Sequence, residues 1–317
     1  MKKRDLLSLV DLSRKEMDHL FSLSHKLKRE QKQRTSQRLL AGRTLALVFE
    51  KPSLRTRVTF ETGMHQLGGQ TVFLGPQEIS LGVRETPADC ARSLCRWVDL
   101  IVVRTSSQET LEEMARYSTV PVINGLTDLC HPCQVLADCF TILEYKGRLE
   151  GLKIAFVGDG NNMVHSWIRA SEKLSFSFSL ACPEGYEPKA EILSAAKAHG
   201  GRVTVTHRVE EAVRAADVIY TDVWTSMGRE REAEARRTAF RNYQVNGDVV
   251  AMAAKDVVVM HCLPAHRGEE ITHEVLEGSR SLVFDQAENR LHLQKAILVW
   301  VLEGVGGSAG KKTKRRK

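Results

Sequence analysis

The chain has 317 residues, of which 42% are hydrophobic and 27% charged, a composition typical of a globular protein with room for two domains. Most of its net charge of +7 lies at the carboxyl end, in Lys311, Lys312, Lys314, Arg315, Arg316 and Lys317. The remaining body is close to neutral, so we predict no nucleic-acid partner.

No apolar run in the sequence reaches the roughly 20 residues of a membrane helix. We therefore predict no membrane association and, without a signal-peptide pattern, a cytoplasmic location. The seven scattered cysteines do not indicate a disulfide framework.

Strands and helices are predicted to alternate along the whole chain. Candidate strands in the first half are 44–49, 71–74, 100–103 and 120–123. Those in the second half are 153–157, 177–181, 203–206, 217–220, 256–260 and 281–284. A helix over about 134–145 separates the two sets, and an amphipathic segment over 291–302 follows the last strand. This order predicts an α/β protein of two domains, each a mainly parallel sheet flanked by helices, with the active-site cleft between them.

We place the domain boundaries at the helical bridge. The first domain is predicted to cover residues 1–147 and the second residues 148–287. The terminal helix, 288–304, is expected to pack back on the first domain. Residues 305–317 combine glycines with the basic run, which predicts a flexible tail.

The segment 53–57, Ser-Leu-Arg-Thr-Arg, has the pattern of an anion-binding helix start. It follows the apolar run 44–49, and Ser53 stands where a helix N-cap is expected. The next backbone N–H groups would lack intrahelical partners, and such a helix end attracts anions. Arg55 and Arg57 add positive charge and forked donors. The segment therefore predicts a phosphate site.

Other polar clusters also follow the candidate strands, at the sheet edge where open α/β proteins bind their ligands. In addition to 53–57 they are Arg104 with Thr105, His131 to Gln134, Gly158 to Asn162, Asp222 to Gly228, and His261 to Pro264. The first-half groups suit a phosphorylated anion that carries a carbonyl or amide. The second-half groups include the Asp222 carboxylate, which suits an ammonium group. Group transfer from a phosphorylated donor to an amine is the natural chemical interpretation.

Four motifs carry a resemblance to a known family: Ser-x-Arg-Thr-Arg at 53–57, His-Pro-x-Gln at 131–134, Asp-x-x-x-Ser-Met-Gly at 222–228 and His-Cys-Leu-Pro at 261–264. In this order and spacing they resemble the signatures of the ornithine carbamoyltransferases, in the aspartate/ornithine carbamoyltransferase superfamily. The resemblance extends from about residue 5 to residue 303. It implies transfer of the carbamoyl group of carbamoyl phosphate to L-ornithine, giving L-citrulline and phosphate. It also implies no metal or organic cofactor and a homotrimer, or a multiple of trimers.

The resemblance also implies roles for individual residues. Carbamoyl phosphate should be bound by Ser53, Leu54, Arg55, Thr56, Arg104, His131, Gln134, Cys262, Leu263 and Arg290. Ornithine should be bound by Asn162, Asp222, Ser226 and Met227. The catalytic groups should be Arg55, Arg104, His131 and Cys262. Carbamoyl phosphate is expected to bind first, and the amine to attack directly through a tetrahedral intermediate.

Alternatives to this interpretation remain open. Leu54 replaces the usual threonine, as in some carbamoyltransferases that use acylated ornithine, although the Ser-Met-Gly sequence at 226–228 favours free ornithine. The loop 158–162 resembles a dinucleotide-binding turn and permits a nucleotide-dependent oxidoreductase. A binding protein without catalysis is a third possibility. Cys262 could be a nucleophile or a buried thiol, and His261 a core histidine. The Cys-x-x-Cys sequence at 130–133 has no second pair to complete a zinc site.

Overall fold

The computed structural model describes residues 3–35, 37–226, 228 and 230–303. The strands are β1 Thr44–Phe49, β2 Gln70–Leu74, β3 Leu100–Arg104, β4 Val122–Leu126, β5 Lys153–Val157, β6 Ser177–Ala181, β7 Arg202–Thr206, β8 Val218–Thr221 and β9 Val258–His261. The helices are α1 Arg14–Lys32, α2 Leu54–Gln66, α3 Pro87–Leu94, α4 Gln108–Tyr117, α5 Pro132–Lys146, α6 Asn162–Leu174, α7 Ala190–Ala198, α8 Val209–Val213, α9 Ala233–Phe240, α10 Gly247–Ala251, α11 His273–Leu276 and α12 Val283–Glu303.

The strands form two parallel sheets, so the predicted α/β class is confirmed. The first sheet has the order β2-β1-β3-β4 and the second β7-β6-β5-β8-β9. Their central strands are continuous apolar runs that are buried on both faces, as helix-covered parallel sheets require. All strands of each sheet run in the same direction, but the side of the sheet on which successive strands are added reverses. This reversal lies between β1 and β3 in the first sheet and between β5 and β8 in the second. Each reversal leaves a crevice at the carboxyl ends of two neighbouring strands.

Helix α12 packs against α1, α2 and α5 on the side of the first sheet. Its Lys295 Nζ donates hydrogen bonds to Gln31 Oε1 at 2.6 Å and to Gln66 Oε1 at 3.0 Å. One hydrophobic core cluster joins both sheets, through residues such as Leu47, Phe156 and Leu293. The two halves are thus joined by a shared apolar core.

Two predicted strands need correction. Strand 281–284 is wrong, because α12 already begins at Val283 and only an isolated bridge joins Ser281 to Val259. The short apolar run there could not be distinguished by periodicity from the first turn of a buried helix. The terminal helix accordingly starts five residues before the predicted 288. Strand 120–123 lies at Val122–Leu126 instead, so Asn124 belongs to the strand and not to the loop.

Among the described residues no helix is both long and apolar enough to cross a membrane. The predicted basic tail over 305–317 lies outside the described residues.

Candidate active site

The reversal points of the two sheets carry the predicted site. At the first, β1 leads into Ser53 and α2, and β3 ends at Arg104. At the second, β5 leads into α6, and Asp222 directly follows β8. The parallel strands bring these chain segments to one edge of each sheet, although they are far apart in the sequence.

The first turn of α2 is capped as the sequence predicts. The Ser53 hydroxyl oxygen accepts a hydrogen bond from the Thr56 N–H at 3.3 Å. Thr56 is buried, and its Oγ1 accepts a hydrogen bond from Arg290 Nη2 at 2.7 Å. Leu54 points away from the protein and is 73% exposed in the single chain. Residue 54 therefore makes no contribution to the packing of its own domain.

Three arginines, Arg55, Arg104 and Arg290, converge beside this helix end. Burial and mutual repulsion lower the pKa of the Arg104 guanidinium to about 10, with Arg290 and Arg55 the repelling neighbours. Burial also lowers the pKa of the Arg290 guanidinium. None of the three forms an ion pair with a carboxylate within the described part of the chain. Arg104 and Arg290 are buried and Arg55 is half-buried, and three such positive charges without an ion-pair partner among the described residues define a site for an anion of high charge.

His131 faces the same cluster from the start of α5. Its backbone N–H donates to Ser166 Oγ of the second half at 2.8 Å. Burial, and then the charges of Arg290, Arg104 and Arg55, hold the pKa of its imidazole well below the usual value. His131 is therefore neutral at neutral pH. It can donate or accept a hydrogen bond, but it is a poor base for an ammonium group.

Several buried polar atoms of this cluster point at no protein partner. They are Arg104 Nε, His131 Nδ1 and Arg290 Nε, each shielded from solvent and without a hydrogen bond among the described residues. Buried polar atoms are nearly always paired in native proteins. Since His131 also feels the charges of Arg104 and Arg290, the three atoms belong to one cluster, and their lack of partners indicates that a polar ligand completes them.

Gln134 links α5 to α12 within the site. Its Oε1 accepts a hydrogen bond from Arg290 Nη1 at 2.6 Å. Through Arg290, Gln134 is connected to Thr56, so the predicted binding residues of 53–56, 131–134 and α12 form one network.

Asp222 is the centre of the second half of the site. Its Oδ1 accepts hydrogen bonds from the Cys262 thiol at 3.0 Å and from the Val223 N–H at 2.8 Å. Its Oδ2 accepts from Asn161 Nδ2 at 3.0 Å. The Asp222 carboxylate also acts electrostatically on Arg55, so the two halves of the site face each other.

Cys262 is a thiol and not a thiolate. Burial, the Asp222 charge and the hydrogen bond to Asp222 raise the pKa of its thiol well above the usual value. A nucleophilic cysteine needs the opposite shift. The interpretation of Cys262 as a site residue that orients Asp222 is therefore favoured over covalent catalysis.

His261 and Glu270 were not recognised from the sequence as a functional pair. His261 Nε2 lies 3.0 Å from Glu270 Oε1, and both side chains are fully buried. His261 Nδ1 accepts from the Leu263 N–H at 2.8 Å, so Nε2 carries the proton and donates to Glu270. The pair fixes the loop that presents Cys262 and Leu263. Its only sequence signal was that His261 is the first residue of the His-Cys-Leu-Pro motif.

Arg57 of the 53–57 motif lies outside the site. The guanidinium of Arg57 forms an ion pair with Glu61 at 3.2 Å and lies 3.5 Å from the ring centroid of Phe73. The prediction that Arg57 adds charge to the anion site is thus wrong.

The residues predicted to bind ornithine begin with Asn162. Its Nδ2 donates a hydrogen bond to the Thr127 carbonyl at 2.7 Å, which connects the second half of the chain to the first. Ser226 lies partly buried after β8, and Met227 lies outside the described residues.

The glycine loop 158–162 does not have room for a pyrophosphate at Gly160. A Cβ there would lie 2.4 Å from Pro188 N, and the Gly160 N–H donates to the Tyr186 carbonyl at 2.9 Å. The glycine accommodates the chain's own backbone. This contact argues against the nucleotide-dependent oxidoreductase.

The fold and the facing half-sites are those of a transferase that joins an anionic donor to an amine acceptor. Residues 4–144 match the carbamoyl-phosphate-binding domain of the aspartate/ornithine carbamoyltransferases, and residues 150–301 match their aspartate/ornithine-binding domain. The chain belongs to the aspartate/ornithine carbamoyltransferase family, as the four motifs predicted, and is an enzyme of that class.

Relatives match over nearly the full length. An ornithine carbamoyltransferase of Geobacter metallireducens is 52% identical over 301 residues, covering 95% of this chain and 99% of the relative. The solved structure of ornithine carbamoyltransferase from Pyrococcus furiosus has 50% identity and a TM-score of 0.92, covering 96% of this chain and 98% of that one. The Thermus thermophilus structure has 43% identity and a TM-score of 0.87, covering 95% and 100%.

Proposed function

We propose that this protein transfers the carbamoyl group of carbamoyl phosphate to the side-chain amine of L-ornithine, giving L-citrulline and phosphate. The observation that carries the proposal is the cluster of Arg55, Arg104 and Arg290, which lacks a carboxylate ion-pair partner among the described residues and faces the Asp222 carboxylate. The names of the relatives supply the substrates. Citrulline formation by the purified protein, measured colorimetrically, is the test.

In the proposed reaction the amine nitrogen attacks the carbonyl carbon of carbamoyl phosphate. A tetrahedral oxyanion forms, the bond from carbon to the phosphate oxygen breaks, and the nitrogen loses a proton. Arg55, Arg104 and neutral His131 stabilise the oxyanion and the departing phosphate by preorganised donors. Since His131 is a poor base, the amine must arrive deprotonated, and a lysine-like amine has a pKa of about 10.4. Activity should therefore rise as the pH rises above neutrality.

Holding the two substrates together is the second contribution of the site. Positioning of this kind can remove about 7–11 kcal/mol of barrier. In the proposal, Gln134 and the Leu263 carbonyl orient the carbamoyl group, with Cys262 beside the attacking amine. Asn162, Asp222, Ser226 and Met227 hold the α-amino and carboxylate groups of ornithine. No cofactor or metal takes part.

The domain assignment is part of the proposal. Residues 1–147, completed by the terminal helix, would bind carbamoyl phosphate. The predicted ornithine domain, 148–287, would end at residue 282, because the terminal helix begins at Val283 and not at 288. The packing of α12 on α1, α2 and α5 supports the first assignment. The carboxyl-terminal tail over 305–317 is proposed to be dispensable for this chemistry.

We also propose that the enzyme is a homotrimer, or a multiple of trimers, in the cytoplasm, acting in arginine metabolism. Large apolar side chains on the first domain support an assembled state. Leu54 is 73% exposed and Trp97 72% exposed, and Val58 and Val72 lie on neighbouring elements. Exposed apolar residues grouped on one domain are typical of a subunit interface.

Binding is proposed to be ordered, with carbamoyl phosphate first. Ornithine carries a net positive charge, and in the empty protein it would meet three arginines that have no ion-pair partner among the described residues. The carbamoyl phosphate anion neutralises them, which removes the repulsion and releases Arg55 from its interaction with Asp222. Titration calorimetry should show ornithine affinity at least about tenfold higher in the presence of the unreactive product phosphate, a change of about 1.4 kcal/mol. Equal ornithine affinity with and without phosphate would contradict the order.

A further inference from the structure

Asp138 is a fully buried carboxylate on α5, at the junction of both half-sites. Its Oδ1 accepts hydrogen bonds from Gln134 Nε2 at 2.8 Å and from Gln286 Nε2 at 2.7 Å. Its Oδ2 accepts from the Tyr220 hydroxyl at 2.9 Å. The side chain thus contacts α5, α12 and β8, and among the described residues it has no ion-pair partner within 4 Å.

The two glutamines each relay this contact to a different half of the site. Gln134 turns its nitrogen to Asp138 and therefore its oxygen to Arg290, whose guanidinium continues to Thr56. Gln286 turns its nitrogen to Asp138 and its oxygen to the His261 N–H, at 3.0 Å. An amide has one donor end and one acceptor end, so the acceptor at Asp138 decides which end faces the site.

We propose that Asp138 is a positioning residue that fixes the amide orientations of Gln134 and Gln286 and so keeps the carbamoyl-phosphate and ornithine halves of the site in register. The proposal rests on the proposed function and adds to it a residue that touches neither substrate. Without the acceptor, Gln134 can present its NH₂ group to the Arg290 guanidinium, which would displace that arginine. Without this acceptor Gln286 can also turn its amide, and its oxygen then no longer accepts the hydrogen bond from the His261 N–H, in the loop that carries Cys262.

The role depends on hydrogen-bond acceptance and not on charge. Burial raises the pKa of the Asp138 carboxyl to about 7. When the carboxyl is protonated on Oδ2, that oxygen can donate to the Tyr220 hydroxyl, and Oδ1 still accepts from both glutamines. An asparagine can do the same with its Oδ1 and Nδ2, whereas a leucine of similar size cannot accept any hydrogen bond.

The test compares Asp138→Leu, Asp138→Asn and the control Glu144→Leu, all on α5. Glu144 also joins helices, because its Oε2 accepts from Asn289 Nδ2 and Lys28 Nζ, both at 2.7 Å, but it contacts none of the relay residues. Citrulline formation is first established for the unchanged protein; its absence would overturn the proposed function and not the role of Asp138. Variants are then compared at a temperature where circular dichroism shows each to be folded.

We expect Asp138→Leu to lower kcat about 100-fold, since a misplacement of about 1 Å can cost that much, and to raise the KM of both substrates. Asp138→Asn should stay within about tenfold of the unchanged enzyme, and Glu144→Leu within about threefold. Unchanged constants in Asp138→Leu, equal losses in Asp138→Leu and Asp138→Asn, or an equal loss in Glu144→Leu would each overturn the proposal.

Gln286→Leu tests the same relay if Asp138→Leu does not fold. It cuts only the branch to His261 and leaves Gln134 its acceptor, so the ornithine KM should rise about tenfold. The dissociation constant of inorganic phosphate, which would contact the arginines and not the loop of Leu263, should stay within about twofold. Equal changes in both constants would show that the network is merely structural and would overturn the proposal.

Discussion

Arg55→Gln is expected to lower kcat by about 100- to 1,000-fold, the usual loss when one preorganised donor to a developing oxyanion is removed. Arg55 is half-buried at the first turn of α2, and the Asp222 carboxylate acts on it electrostatically across the cleft. Glutamine keeps a hydrogen-bond donor but removes the charge that the carbamoyl phosphate anion requires. Steady-state citrulline formation over both substrate concentrations measures the effect.

Arg57→Gln is the matched control, two residues along the same helix. Its guanidinium is engaged by Glu61 and Phe73 on the outside of the domain, and an exposed pair of this kind contributes about 0.3–0.5 kcal/mol. We expect a change of less than about threefold in kcat and in either KM. Equal losses in the two variants would mean that Arg55 acts through the stability of α2, and the assignment of the anion site would be wrong.

Asp222→Asn is expected to lower kcat/KM for ornithine at least about tenfold, because a hydrogen bond to a charged group is worth about 1.5–3 kcal/mol. The substitution keeps the shape of the side chain and removes the charge proposed to hold the α-amino group. The binding of carbamoyl phosphate, measured by calorimetry, should change less than about twofold.

Asp217→Asn provides the control for Asp222→Asn. Asp217 lies just before the other end of β8, where its Oδ2 accepts from the Lys153 N–H at 2.8 Å, away from the cleft. We expect Asp217→Asn to leave both kcat/KM for ornithine and the binding of carbamoyl phosphate unchanged. If Asp222→Asn weakened both substrates equally, residue 222 would be structural, and the proposed division of the substrates between the two domains would fail.

Much of the fold could be predicted from the sequence, because parallel strands buried on both faces are continuous apolar runs that stand out from their surroundings. The site could be located for a related reason, since polar motifs directly after such strands must meet at one sheet edge. The rule that a short apolar run is a strand fails for 281–284, where Leu282, Val283 and Phe284 lie at the start of a buried helix. Length and flanking residues do not distinguish the two cases there.

The destinations of individual side chains could not be predicted in the same way. Arg55 and Arg57 lie in one motif with the same chemistry, yet a difference of two positions on a helix turns one into the cleft and the other outward. Asp138, Gln286 and Tyr220 come from three distant segments and carry no local pattern. Their contacts exist only after α5, α12 and β8 have packed together.

The most direct test of the proposed function is a comparison of amine acceptors with the purified, unchanged protein. With saturating carbamoyl phosphate, L-ornithine, N-acetylornithine, putrescine and L-aspartate are each supplied in turn, and the carbamoylated product and phosphate are measured. Asp222 and the residues after it should hold a free α-amino acid head group, which acetylornithine and putrescine lack, and aspartate has no side-chain amine to attack. We therefore predict kcat/KM for ornithine at least about 100-fold above that for any other acceptor. Comparable or faster carbamoylation of acetylornithine, putrescine or aspartate, or no product with ornithine, would contradict the proposal.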